Sequence, residues 1–268
     1  MPPLLPAFSP NFIMYTLGLA SYVEPMFTKS SWDSSPTIAA IVPALNEEEN
    51  MPKVLESLLH QTRKLDRVIV VDDGSTDRTS DVASRFKDVR VLRNSKPIGK
   101  AKSINRALDL VDTELVMIVD ADTVLEEDFA GKAAKAFADE KVVAANGFVV
   151  PSTRSINAAF RKARVVEDLY AQTTLKRGQN MANGLFVISG CCAIFRTSIL
   201  NRFRFSADTV TEDLDLTWAL QEEGYRTALI EAYAHTLEPK DLTGYVSQIR
   251  RWYMGFFQCL AKHGSKVF

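Results

Sequence analysis

Four short clusters carry side chains able to do chemistry, and they occur in a fixed order: Asp72-Asp73, Asp120-Ala121-Asp122, Thr211-Glu212-Asp213, and Gln248-Ile249-Arg250-Arg251-Trp252. A carboxylate at a strand end, as expected for Asp72 and Asp73, can accept the N–H of a base such as uracil. The stretch from Asp72 to Asp77 lacks the alternating acids and later Glu of an EF-hand, so a calcium loop is excluded. Asp120 and Asp122, two apart in a segment expected to be extended, would point the same way. Such a pair suits a hard divalent cation that completes its shell with phosphate and water, which makes Mg2+ or Mn2+ the expected metal. Thr211-Glu212-Asp213 opens a helical pattern. Asp213 is the candidate general base for an acceptor hydroxyl, and Asp215 is its local competitor. Gln248, Arg251 and Trp252 fall at i, i+3 and i+4, one face if the segment is helical. That face combines an amide, a guanidinium able to make paired bonds to phosphate, and a ring able to stack on a sugar.

Two smaller signals accompany these. Ile98-Gly99-Lys100 is not a phosphate loop, because the upstream Gly is missing and Ala101 stands where Ser or Thr is needed. Lys100 still lies at the mouth of an expected helix, where it can meet a diphosphate together with the helix dipole. Ser189-Gly190-Cys191-Cys192 is a small-residue stretch that lets backbone come close to a ligand.

The elements that must position these residues read as an α/β fold. Short apolar runs at Ile38 to Val42, Val68 to Val71, Val89 to Leu92 and Leu115 to Val119 alternate with helical spacing of apolar residues, the signature of a parallel sheet covered by helices. Ligands sit at the carboxyl ends of such strands, so Asn46-Glu47, Asp72-Asp73 and Asp120-Asp122 should converge on one nucleotide crevice. Another strand begins near Val142 and ends in Pro151, and Ile156 to Lys176 reads as a polar amphipathic helix. The expected division is a Pro-rich arm over residues 1–36, a nucleotide-binding half over 37–145 and an acceptor-binding half over 146–268, the two halves sharing one sheet.

Composition sets outer bounds. The 268 residues are 46% hydrophobic, enough for a substantial core. With 32 basic and 33 acidic residues, nothing global points to a nucleic-acid partner. Three cysteines, two of them adjacent, give neither a disulfide framework nor a zinc site. They read as small buried groups in a reducing, cytoplasmic setting. Phe12 to Val23 is apolar but shorter than the ~20 residues of a spanning helix. We expect it to pack on the domain, with a peripheral position on a membrane surface as the alternative.

The ordered pieces resemble the family 2 glycosyltransferases of the GT-A fold, and within them the processive synthases of poly-N-acetylglucosamine, hyaluronan, chitin and cellulose. The matching segments are Val42 to Glu47, Val71 to Ser75, Gly99 to Ala101, Asp120 to Asp122, Ser189-Gly190, Thr211 to Asp213 and Gln248 to Trp252. The resemblance implies a mostly parallel, Rossmann-like sheet with helices on both faces. It also implies an inverting transfer from a nucleotide-diphosphate sugar, usually a UDP-sugar, to a glycan or lipid-linked acceptor. By the same resemblance Pro43, Ala44, Glu47, Asp72 and Asp73 line the nucleoside pocket, Lys100 approaches the diphosphate, and Asp120 and Ala121 contact nucleotide or donor sugar. Asp122 holds the metal and Asp213 is the base. Gly190, Glu212, Gln248, Arg251 and Trp252 form the diphosphate and acceptor wall. The synthases it resembles are embedded in membrane, so a membrane surface or a separate membrane subunit is a further expected partner. A sugar-nucleotide-binding module without catalysis is the competing reading, and a nucleotidyltransferase is disfavoured because Pro43-Ala44-Leu45-Asn46 is not a Gly-rich loop.

Overall fold

The computed structural model describes residues 36–152, 169–182, 184–237, 239 and 241–267. The arm over residues 1–36 therefore lies outside the described residues except for Pro36, as does most of the helix expected over Ile156 to Lys176. Its described end is a π-helical stretch, Leu169–Leu175, running into α5 (Lys176–Met181).

Eight strands form one sheet. In chain order they are β1 (Ile38–Ala44), β2 (Arg67–Asp72), β3 (Val89–Arg93), β4 (Leu115–Val119), β5 (Thr123–Leu125), β6 (Val142–Ser152), β7 (Cys192–Arg196) and β8 (Arg226–Leu237). The spatial order is β3-β2-β1-β4-β7-β6-β8-β5. From β3 to β4 every pairing is parallel; β7 then enters antiparallel to both β4 and β6, β8 runs parallel to β6, and β5 closes the edge antiparallel to β8. The sheet is thus parallel through the first half and mixed beyond it. A strand inserted antiparallel carries no local mark in its sequence, because the choice of neighbour is made by tertiary pairing.

Every residue of β1 and β4 is buried. Period-two alternation sends them to opposite faces, which gives two cores. Ile38, Ala40 and Val42 pack with α1 (Met51–Leu59) and α4 (Phe129–Ala136); Ala39 and Ile41 pack with α3 (Lys100–Leu108), α6 (Thr197–Phe203) and α7 (Glu212–Glu222). Burying one such Val, Leu or Ile contributes roughly 1.5–3 kcal/mol, so this doubly covered ladder is the rigid part of the molecule. Two elements complete the fold: α2 (Thr79–Ala83), and α8 (Leu242–Val267), a 26-residue helix that packs on α7.

Candidate active site

At the carboxyl ends of β1 and β2 the two following loops are sewn together. Asn46, at a left-handed φ of 57°, accepts the Thr76 N–H through Oδ1 at 2.9 Å, and its own N–H donates to Ser75 Oγ at 2.9 Å. The Glu47 N–H donates to Thr79 Oγ1 at 2.8 Å. Gly74 has φ 78° and lies so close to the backbone that a Cβ would stand 2.7 Å from the Lys96 carbonyl carbon. Only glycine fits that conformation and space.

The adjacent acids part company here. Asp72 ends β2 fully buried; it accepts the Ser75 N–H at 2.8 Å and pairs with Arg93 Nε at 3.3 Å. The cavity is lined by Asp73 and not by Asp72, which corrects the expectation that both face the nucleoside. The physical reason is alternation: Asp72 falls on the covered face of β2 that carries Val68 and Val70, and Asp73 falls on the other. Asp73 accepts Asn94 Nδ2 at 2.7 Å, the Ile98 N–H at 2.9 Å and the Gly99 N–H at 2.8 Å. Burial works against its charge, but these hydrogen bonds outweigh burial and hold its carboxyl below the usual aspartate range. Asp73 thereby fixes the turn that presents Lys100.

Lys100 opens α3 and reaches across the cavity, 2.6 Å from Asp120 Oδ1 and 3.4 Å from Glu212 Oε1. Burial favours the neutral amine, yet the two carboxylates prevail and push the group well above the ordinary lysine value, so it is a fixed cation. Asp120, Ala121 and Asp122 line the same cavity. They are not extended as expected. β4 stops at Val119, and a turn closed by the Thr123 N–H on the Asp120 carbonyl at 3.0 Å reverses the chain into β5. Asp122 Oδ1 receives the Thr123 and Thr236 hydroxyls, each at 3.3 Å. Burial and then the neighbouring Asp120 push its carboxyl up; Glu47 is raised by burial and by Asp122 and Asp120. Crowded, reluctant carboxylates of this kind suit a divalent cation, which relieves their repulsion. Among the described residues no group of three or more His, Cys, Asp or Glu is placed to hold a metal ion.

On the opposite side, Asp213 lies in the first turn of α7. Its Oδ1 accepts the Leu214 N–H at 2.8 Å and its Oδ2 accepts the Gly190 N–H at 3.1 Å. A Cβ at Gly190 would come within 3.2 Å of Lys100 Nζ and 3.6 Å of Asp213 Cβ, so the bare backbone is what lets the three groups crowd together. Asp215, the competing acid, is excluded from the cavity. It is buried on the far side of α7, bonded to Lys262 Nζ at 2.9 Å and His263 Nε2 at 2.8 Å. Gln248, Arg251 and Trp252 do share one face of α8, and that face lines the cavity; Trp252 remains 45% exposed.

The cavity holds about 930 Å³. Apart from Asp72, every residue to which the family resemblance gave a place in the site contributes to its lining, including Pro43, Ala44, Glu47, Gly190 and Glu212. It also includes residues without a sequence signal: Gln172, Thr236 and the apolar Val149, Phe186 and Phe256. Behind it lies Lys176, buried and donating to Asn146 Oδ1 at 2.8 Å. Burial pulls this amine below the ordinary lysine value. Cys192 and Cys259 are buried as expected, whereas Cys191 lines the cavity.

The model of glycosyl transferase family 2 matches residues 39–204 of the chain. An uncharacterized glycosyltransferase, YaiP, of Escherichia coli is 33% identical over 242 residues, covering 86% of this chain and 59% of that protein. The poly-β-1,6-N-acetyl-D-glucosamine synthase of Staphylococcus epidermidis is 27% identical over 243 residues, covering 88% and 58%. The chain thus spans about three fifths of the length of these relatives. Among solved structures, the mannosyltransferase PcManGT of Pyrobaculum calidifontis, in complex with GDP-Man and Mn2+, superposes with a TM-score of 0.74 at 23% identity, over 94% of this chain and 71% of that one. S. aureus TarS in complex with UDP-GlcNAc gives 0.58 at 22% identity, over 78% and 60%. These likenesses place the fold among GT-A glycosyltransferases.

Proposed function

The chain belongs to glycosyl transferase family 2, and from that premise we propose that it transfers a sugar, with inversion, from a nucleotide-diphosphate sugar to an acceptor hydroxyl, using a divalent metal and Asp213 as base. The observation that carries this reading is the meeting in one cavity of a cation, Lys100, and two carboxylates from separate elements, Asp122 and Asp213. The crevice at the ends of β1 and β2 receives the nucleoside, bounded by Pro43, Ala44, Glu47 and Asp73. Lys100 and Arg251 face the diphosphate, and Trp252 faces the acceptor. Asp213 takes the acceptor hydroxyl proton as that oxygen bonds to the sugar's anomeric carbon. The bond from that carbon to the diphosphate breaks, and the nucleoside diphosphate leaves with the electron pair, giving a β-linkage from an α-linked donor. Mg2+ or Mn2+, held by Asp122, would supply positive charge to the departing diphosphate, as Lys100 does from the protein side.

UDP-GlcNAc is the first donor to test, since relatives include a poly-N-acetylglucosamine synthase and TarS was solved with that nucleotide sugar; GDP-mannose is the control. UDP release should require Mg2+ or Mn2+, fall at least a thousandfold in Asp213→Asn, and leave UDP binding intact in that variant. Turnover by Asp213→Asn at the wild-type rate would remove Asp213 from the chemistry. The Asp122→Asn variant should lose the rise in Tm that Mn2+ with UDP gives the wild type.

A membrane surface beside this site has its own support. Leu242, Val246, Tyr253 and Phe257 are exposed along α8, whose 26 residues include Arg250, Arg251, Lys262 and Lys266 and no acid. An exposed apolar stripe with the exposed Arg250 beside it suits the interface of an anionic bilayer on the cytoplasmic side, near a glycan or lipid-linked acceptor, whereas Lys262 and Lys266 are turned to the acids of α7. No helix among the described residues is long and apolar enough to cross a membrane.

A further inference from the structure

Gln248, Arg251 and Trp252 act in the proposed reaction only if α8 stands at the right place over Asp213. The half of the helix that carries them is largely solvent-facing: Leu242, Val246, Tyr253 and Met254 are all exposed. The contacts that fix α8 lie further along. Gly255 packs against Thr211, Gln258 Oε1 accepts the Val210 N–H at 2.9 Å, and Cys259 Sγ meets Thr211 Oγ1 at 3.7 Å. Beyond these sits a buried cluster that does not itself line the substrate cavity. His263 is 4% exposed and bridges two acids of α7, with Nε2 at 2.8 Å from Asp215 Oδ1 and Nδ1 at 2.8 Å from Glu222 Oε1.

An ionised carboxylate only accepts hydrogen bonds, whereas a neutral imidazole has one donor and one acceptor nitrogen. Two carboxylate contacts therefore need an imidazolium. Each acid is also paired with a lysine: Lys262 holds the other oxygen of Asp215 at 2.9 Å and lies 3.8 Å from Asp208, and Lys266 holds the other oxygen of Glu222 at 3.3 Å. With His263 charged, three cations (Lys262, His263, Lys266) face three acids (Asp208, Asp215, Glu222). The Trp218 ring closes the site edge-on to the imidazole at 6.4 Å. A buried ion network is a costly way to gain stability but a specific way to fix register, because each bond has one geometry.

We propose that His263, as an imidazolium shared between Asp215 and Glu222, is the positioning residue that sets α8 against α7 and so places Gln248, Arg251 and Trp252 opposite Asp213. The inference rests on the proposed transferase reading for its kinetic part and on geometry alone for its protonation part. In the full chain at pH 7, 15N spectra of the imidazole should show both ring nitrogens protonated; one bare nitrogen would overturn the proposal. With Mn2+ and a UDP-sugar that the wild type turns over, His263→Ala should lose at least tenfold in kcat, while the Kd for uridine, which lacks the diphosphate that Arg251 faces and sits at the distant ends of β1 and β2, stays within twofold. A folded His263→Ala with wild-type kcat and KM would also overturn it. Should that variant not fold, Glu222→Ala and Glu222→Gln decide: Gln keeps an acceptor for Nδ1–H and should return kcat to within threefold of wild type, where Ala loses tenfold. Equal rates for the two would sink the idea. If the wild type releases UDP from no donor, the transferase reading fails, and the nitrogen spectrum still decides the charge state of the bridge.

Discussion

At Asp73 a single carboxylate holds together the turn that delivers Lys100, and its ionisation is part of that work. Replacing it by Asn puts an amide against the Ile98 and Gly99 N–H groups, leaving a buried donor without an acceptor at a cost of about 1–3 kcal/mol. Because the folded carboxyl titrates below the ordinary aspartate value of about 3.9, its stabilising contribution is complete above that pH and disappears as pH falls through the lower folded value. The gap in urea midpoint between wild type and Asp73→Asn should be constant above about pH 5 and close in stronger acid; a gap independent of pH would show that the charge is not involved. Much at this scale was legible beforehand, since acids and a lysine at strand ends and helix starts are local signals. Asp72 was not, because the single-residue alternation that turns it inward depends on where β2 stops. Lys176 was not either: within a polar helical pattern, nothing local marks a lysine that tertiary packing buries against Asn146.

Among elements, α8 depends on one missing side chain. A Cβ at Gly255 would overlap the Thr211 side chain, which immediately precedes Glu212 and Asp213. In Gly255→Ala the helix must move away from α7; we expect a loss of about 1–3 kcal/mol by overpacking and a fall in kcat of tenfold or more, checked by thermal melts and UDP release. Unchanged kcat would mean that the helix wall is not needed. Elements differ in how far sequence reveals them for a related reason. β1, β2, β3 and β4 are apolar runs between turn residues and were readable to within two residues at either end. β8 shows no comparable signal, because its partners are a bulged parallel neighbour, β6, and a three-residue antiparallel strand, β5. The Asp120–Asp122 segment was read as extended for the same reason: the need to reverse toward β5 is imposed by the sheet.

For the molecule as a whole, the exposed apolar stripe of α8, with Arg250 beside it, predicts where it works. The full chain should float with vesicles containing anionic lipid and not with neutral ones, and the double change Tyr253→Ser with Phe257→Ser, away from the cavity face, should abolish flotation without altering UDP affinity; equal recovery with both vesicle types would remove the membrane reading. The family and the parallel half of the fold were legible because its motifs lie at the ends of autonomous strands, whereas the mixed half emerges only from pairing. That pairing has a mechanical result. β4 meets β7 antiparallel, so the chain leaving the sheet at Asp120 lies beside the chain entering it at Cys191, joined by the Asp120 N–H to the Cys191 carbonyl at 3.3 Å. The loop that carries Asp120 and the loop whose Gly190 bonds Asp213 are therefore adjacent rungs of one ladder, and the span between the proposed leaving-group and base positions is gauged by strand spacing.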